Sequence, residues 1–333
     1  MSKPKVSVII PTYNRAHLIR ETLKSVLAQT FRDYEIVVVD DGSTDDTGSV
    51  VAKVTPEARY IYQENTGIPE VLNVCIREAR GEYVQHLGSD DLLVDDTLAR
   101  SAALLDAHPN VAMVHGAAWL IDQTGKRQSI MRPEFATGDY IRSGREEIRD
   151  LLLSNHVVAP TVMARRQVMM GAGLYDARFG LYEDWNLWTR IAKQHDVAYS
   201  HDPLVSYRVH SGPSGSIFHT ASARDIDRYR RMHLDEVLED PSLRDIYAGV
   251  RGRALALHHL AVARRAGETG EAWYARRAAV KAALRHPSAV PAAARLLART
   301  LAPAPLIRLV RGRREKGARK LATSGPSAQG AAE

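Results

Sequence analysis

Hydrophobic positions in the first 120 residues fall into two alternating rhythms. Residues 6–10, closed by Pro11, and residues 34–39, closed by Asp40-Asp41-Gly42-Ser43, are continuous β-branched runs. Such runs mark strands buried on both faces. Between them Leu18, Ile19, Leu23, Val26 and Leu27 recur at helical spacing. The same exchange continues as helix 45–54, strand 59–62, helix 70–80, strand 83–87, helix 97–107 and strand 111–121, with a turn at 122–126. Strands and helices alternating in this way predict an α/β fold, a mostly parallel Rossmann-like sheet with helices on both faces. The loops after the first four strands, at 11–15, 40–43, 65–67 and 88–91, then share one edge. Sheets of this class bind nucleotides at that edge.

The chemistry concentrates in the fourth of those loops. Strand 83–87 ends in Gly88-Ser89 and delivers Asp90 and Asp91 side by side. Two adjacent carboxylates repel unless a cation or hydrogen-bond donors come between them. One or two hard oxygen ligands, completed by phosphate oxygens, are how Mg2+ or Mn2+ is held. The alternative at this point is an N-cap for the next helix. No Gly-x-Gly-x-x-Gly turn and no Gly-Lys-Ser/Thr turn is present, so a phosphate here needs its charge met by other means.

Further along, a helix is expected at 146–154, followed by a mixed stretch to 170 that returns to the sheet. Residues 120–175 match no motif. Trp185, Trp188, Ile191 and Ala192 share one helical face. Glu183 and Asp184 open that helix, where free N–H groups and the dipole favour an ionised carboxylate. One of the pair serves as a cap, and the other, beside two tryptophans, reads as a positioned base. A strand at 199–207 then leads to Arg208 and His210, a candidate metal or phosphate ligand in a Ser/Gly-rich loop.

Charge divides the chain. Residues 241–333 hold 18 Lys and Arg against 5 Asp and Glu, a balance of +13, while residues 1–240 hold 27 against 34, a balance of −7. Beyond residue 219 the pattern is helical and rich in Ala and Arg, with helices expected at 224–238, 245–266, 271–285 and 292–301. Leu296, Leu297, Leu301, Leu306, Ile307, Leu309 and Val310 interleave with arginines, which suits a helix lying on an anionic membrane face. A helical bundle with a solvated basic face is the alternative. Nucleic acid is not expected, because no recognition constellation accompanies the charge. The single cysteine, Cys75, sits in an apolar run and reads as a buried structural thiol. The chain enters its first strand with no signal peptide, so a cytoplasmic protein is expected, with the inner membrane face as a candidate peripheral location.

Five of these segments, in order over residues 5 to about 216, resemble the family 2 glycosyltransferases of the GT-A type. They are 6–15, the Asp-Asp-Gly-Ser stretch 39–47, Asn65-x-Gly67, Gly88-Ser89-Asp90-Asp91, and Glu183-Asp184 with Arg190. The resemblance implies an inverting enzyme that takes a sugar from a nucleotide diphosphate donor and depends on Mn2+ or Mg2+. It places Pro11, Thr12, Tyr13, Arg15, Asp41 and Gly67 at the nucleotide, with Tyr13 stacked on the base and Asp41 accepting a uracil or thymine N–H. Asp90 and Asp91 match the ribose and metal element, His210 a third metal-side ligand, Asp184 the general base and Glu183 its neighbour. Arg190 and Arg208 would offset diphosphate charge. Two departures stand out: Gly88 replaces the first Asp of Asp-x-Asp, and Leu72 stands where a donor-binding Arg is usual.

The expectation is therefore a catalytic domain over 1–220, a basic helical extension over 221–320 and a disordered tail over 321–333. The donor is UDP- or dTDP-linked, and the acceptor a hydroxyl of a glycan, a lipid-linked molecule or a secondary metabolite. A catalytically silent nucleotide-sugar-binding scaffold is the alternative. A nucleotidyltransferase lacks support, since residues 11–15 supply no Gly-rich basic loop.

Overall fold

The computed structural model describes residues 3–210 and 220–301. Its strands are β1 (Val6–Thr12), β2 (Tyr34–Asp40), β3 (Arg59–Tyr62), β4 (Tyr83–His86), β5 (Leu92–Leu93), β6 (Val111–Ile121), β7 (Arg127–Met131), β8 (Tyr140–Arg142), β9 (Met163–Arg165) and β10 (Asp196–Arg208). Between them lie α1 (Ile19–Leu27), α2 (Thr47–Val54), α3 (Ile68–Glu78), α4 (Thr97–Ala107), α5 (Gly144–Leu151), α6 (Arg166–Gly171) and α7 (Glu183–Ala192). Five more follow: α8 (Ala223–Leu238), α9 (Arg244–Ala248), α10 (Arg251–Glu268), α11 (Ala272–Arg285) and α12 (Val290–Leu301). Two compact units divide at Ala254 and Leu255.

In the first unit the strands order as β3-β2-β1-β4-β9-β6-β10-β5. The β-branched runs form the parallel half: Val8 stands opposite Ile36 on one side and Gln85 on the other. The apolar residues of β1 and β2 are buried almost completely, with Ile19, Leu23 and Val26 of α1 packed on them. The stretch that was to return to the sheet does so as β9, which inserts antiparallel between β4 and β6. It runs against both neighbours, so β6 and β10 keep the direction of β4. In β10 the register jumps between Ser200 and Val205, around Pro203, which has no N–H to give the ladder.

Asn73, beside the departure at Leu72, is buried and bonds both ways to the backbone of Tyr175. Its amide donates to the Tyr175 carbonyl at 2.8 Å, and its carbonyl accepts the Tyr175 N–H at 2.9 Å. That clasp ties α3 to the segment leading into α7.

Two expectations change. No helix starts at Asp90 or Asp91, since the next helix opens at Thr97 with Asp96 as its cap residue, and the capping alternative falls. The helix expected at 245–266 is broken into α9 and α10, at Gly249, whose free backbone disfavours helix.

In the second unit Ala256, Ala282 and Ala289 form a buried cluster with Leu260 packed against it. Small side chains there let helices approach closely. No helix among the described residues is long and apolar enough to cross a membrane. The segment 306–311, the basic run 313–320 and the expected disordered tail 321–333 lie outside the described residues.

Candidate active site

The carboxyl ends of β1, β2 and β4 bring their loops together as the alternation requires. Asn14, in the left-handed region at φ 52°, stitches the first loop to the second. Its N–H donates to Ser43 Oγ at 2.8 Å, and its side-chain oxygen accepts the Thr44 N–H at 2.8 Å. Asp41 binds the third loop. Its Oδ1 accepts from Gln63 Nε2 at 2.8 Å and from the Thr66 N–H at 2.9 Å, while Oδ2 accepts the Gly67 N–H at 2.9 Å. Gly67 adopts φ 89°, a conformation that favours glycine. In the first loop Tyr13 is 48% exposed, while Pro11 is half-buried and Thr12 buried.

The fourth loop carries the densest charge. Asp90 Oδ2 lies 2.7 Å from His210 Nε2 and 3.8 Å from Arg15 Nε. Asp91 turns inward instead, buried, with Oδ1 accepting the Arg208 N–H at 2.8 Å. Burial and then the Asp90 charge push the Asp91 carboxyl well above the usual range, against the pull of Arg208. Gly88 accommodates this crowding, because a Cβ there would stand 2.6 Å from Asp91 Oδ2 and 3.1 Å from Asp90 Oδ1. A side chain at position 88 would thus require the Asp91 carboxylate to shift.

Glu183 and Asp184 occupy the first turn of α7, over a buried face of Trp185, Trp188, Ile191 and Ala192. The Asp184 carboxylate accepts the Trp185 N–H at 2.5 Å and the Asn155 amide at 3.2 Å. Burial raises its pKa to about 6, and those two donors hold it from rising further. Glu183 is pushed up to about 8 by burial and then by the Asp184 charge. Its Oε2 has no hydrogen-bond partner among the described residues. Tyr207 links the two acidic centres: its phenol is pushed up to about 12 by burial, then by the charges of Asp91, Asp90 and Asp184 in that order.

Arg190 and Arg208 are engaged elsewhere. The Arg208 guanidinium donates to the Asp90 carbonyl at 2.9 Å, to the Asp122 and Gln123 carbonyls at 3.2 and 3.0 Å, and to Glu21 at 2.8 Å. Arg190 donates to the carbonyls of Ala172 and Leu174 and to Asn186. Both guanidinium groups fasten backbone.

Comparisons with known proteins show the family and the fold. Residues 7–170 match the model described as Glycosyl transferase family 2. A glycosyltransferase of Mycobacterium tuberculosis, named for PGL/p-HBAD biosynthesis, is 30% identical over 224 residues, covering 65% of this chain and 82% of that protein. The chain belongs to glycosyl transferase family 2. A Rickettsia typhi protein named as a glycosyltransferase is 31% identical over 212 residues, 62% of this chain and 64% of that protein. The chain thus spans less than two thirds of that relative's length. Among solved structures, S. aureus TarS 1-349 in complex with UDP-GlcNAc aligns with a TM-score of 0.59 at 22% identity, over 94% of this chain and 92% of that one. A mannosyltransferase from Pyrobaculum calidifontis in complex with GDP-Man and Mn2+ aligns at 0.55 and 23% identity, over 95% and 81%. The fold is the GT-A fold of those structures.

Within that family setting, Asn155 and Tyr207 are the neighbours that sequence reasoning missed. Asn155 lies in the stretch without a motif, and Tyr207 sits inside a strand pattern where nothing marks its neighbours. The Glu183–Asp184 pair has a measurable signature. Both carboxyls hold protons more tightly folded than unfolded, where such groups titrate at about 4. The folded state therefore binds more protons above that value, and stability falls as pH rises through the window. Replacing Glu183→Gln is expected to flatten the fall in urea-unfolding free energy between about pH 5 and about pH 8. An unchanged slope would show that Glu183 is solvated.

Proposed function

We propose that the chain is an inverting glycosyltransferase that moves a sugar from a UDP- or dTDP-linked donor to an acceptor hydroxyl. The observations that carry this are the family match, the Asp90–His210 pair at the end of β4 and the buried Glu183–Asp184 pair that opens α7. The negative centre lies at the end of β4 and the candidate base at the start of α7. A donor diphosphate suits the first and an acceptor hydroxyl the second.

The donor set at the β4 loop fits Mn2+ or Mg2+. Asp90 and His210 already converge, with the Asp91 carboxyl, raised by burial and then by the Asp90 charge, beside them. When bound, a divalent ion neutralises charge developing on the departing nucleotide diphosphate. Asp90 and His210 would hold it, and Asp91 supports the loop from behind. Arg15 supplies a partly exposed positive charge beside Asp90. Tyr13 offers a face for the base, and Asp41 Oδ2, with a single bond from Gly67, keeps capacity to accept a base N–H. Asp184 takes the proton of the attacking hydroxyl, with Asn155 holding its carboxylate in place. Glu183, kept protonated near neutral pH, leaves Asp184 as the ionised member of the pair. A single displacement then inverts the anomeric centre without a covalent intermediate.

TarS, solved with UDP-GlcNAc, supports a uridine-linked donor, whereas the Pyrobaculum enzyme was solved with GDP-Man; the mycobacterial relative is named for PGL/p-HBAD biosynthesis. Exposed side chains of α11 support a peripheral position at an anionic membrane face. Trp273 and Leu284 on that helix are 68% and 81% exposed, with Val280 between them. The Arg277 guanidinium lies 5.5 Å from the Trp273 ring centroid. Apolar and aromatic side chains flanked by cations suit the headgroup boundary.

Transfer or hydrolysis of radiolabelled UDP-sugars tests the reaction. Asp184→Asn is expected to lower kcat by roughly 10²- to 10⁴-fold with UDP affinity retained, and wild-type kcat/KM to fall on the acid side of about pH 6. Full turnover by Asp184→Asn would sink the mechanism. Sedimentation with vesicles containing phosphatidylglycerol tests the location. Binding by the wild type and its loss in Trp273→Ser/Leu284→Ser is expected; equal binding by both would contradict the role of α11.

A further inference from the structure

A second polar centre lies under β8 and α5 and shares no residue with the site above. His115, in the middle of β6, is fully buried, and neither ring nitrogen has a hydrogen-bond partner among the described residues. Glu147 of α5 is equally buried. Its Oε2 accepts from Arg142 Nε at 2.6 Å, whereas Oε1 lies 2.7 Å from His156 Nε2 and 3.6 Å from His115 Nε2. One donor atom from each of His115, Glu147 and His156 lies within 4.8 Å of the other two. The rings of Tyr199 and Tyr140 pack against His115 with centroids 5.2 and 6.4 Å away, so the centre has an apolar wall.

A buried imidazole with both nitrogens unpaired is costly unless something binds it. Two imidazoles and one carboxylate oxygen form a donor set for Zn2+, whose bonds of about 2.0–2.2 Å place neighbouring donors ~3.4 Å apart in a tetrahedral site. The observed separations of 2.7 and 3.6 Å bracket that spacing. Burial holds the His115 pKa below its ordinary value and so keeps the ring neutral, the form that coordinates. Arg142 stays on Oε2 and orients the carboxylate, as outer partners of metal ligands do.

We propose that His115, Glu147 and His156 form a second metal site, one that takes Zn2+ or a similar borderline divalent ion. Its role is structural. His156 adjoins Asn155, so an ion joining His156 to β6 and α5 fixes the segment that holds Asn155 on Asp184.

The test uses the full chain carrying Asp90→Asn, which weakens the candidate donor-side ion site. The protein is stripped with chelator and titrated with ZnCl2 against a chromophoric competitor, without nucleotide. One equivalent of Zn2+ is expected to bind and raise the thermal midpoint. Adding His156→Gln should weaken that binding by at least about 100-fold, beyond the loss of an outer partner. Zinc-edge absorption of the Asp90→Asn protein should show imidazole nitrogen ligands, a readout that does not depend on the second variant folding. No zinc bound in the Asp90→Asn chain, affinity unchanged by His156→Gln, or a spectrum without imidazole would overturn the proposal.

Discussion

The site rests on one side chain, Arg208 at the end of β10. Its side chain is 1% exposed, and its guanidinium is spent on the Asp90 carbonyl, the carbonyls of the β6–β7 turn and the Glu21 carboxylate. Its own N–H holds Asp91. A buried guanidinium is stable only when its donors are met. The fold meets them with four groups from three elements: the β4 loop, the β6–β7 turn and α1. The β4 loop is thereby pinned to β10, and His210, two residues on, arrives at Asp90. The loop geometry is secured by a residue whose guanidinium makes four hydrogen bonds within the protein.

That arrangement concentrates negative charge. Asp90, Asp91 and Asp184 act on one phenol, and Glu183 stands beside Asp184 with an unpaired oxygen. Such crowding is unfavourable in the protein alone and favourable once a cation or a proton enters. The two centres resolve it differently. At the β4 loop the proposed answer is a divalent metal and the donor diphosphate. At α7 it is a proton retained on Glu183, while Asp184 keeps its charge through the Trp185 N–H and Asn155. Two carboxylates with environments that separate their pKa values are an acid–base assignment in themselves.

Much of this was legible in the sequence, because the alternation of β-branched runs with helical spacing is a property of neighbouring residues. So were the loops at the sheet edge, the opening of α7 by Glu183 and Asp184, and the approach of His210. What escaped depends on partners far apart in the chain. Asp91 looks like a second ligand until the backbone of residue 208 is seen to claim it. Arg190 has the right charge for a diphosphate, but the carbonyls of Ala172 and Leu174 take its donors. β9 is three residues long and carries too little pattern to announce an antiparallel insertion. His115, Glu147 and His156 come from a strand, a helix and a loop, at spacings that no local motif encodes.

Calorimetric titration with UDP, in Mn2+ and then in EDTA, tests the central claim most directly, with the wild type compared with Asp90→Asn. The account predicts binding that the wild type shows only with metal and that Asp90→Asn loses in both conditions. Binding of equal strength with and without metal in both proteins, or no binding in any condition, would contradict it.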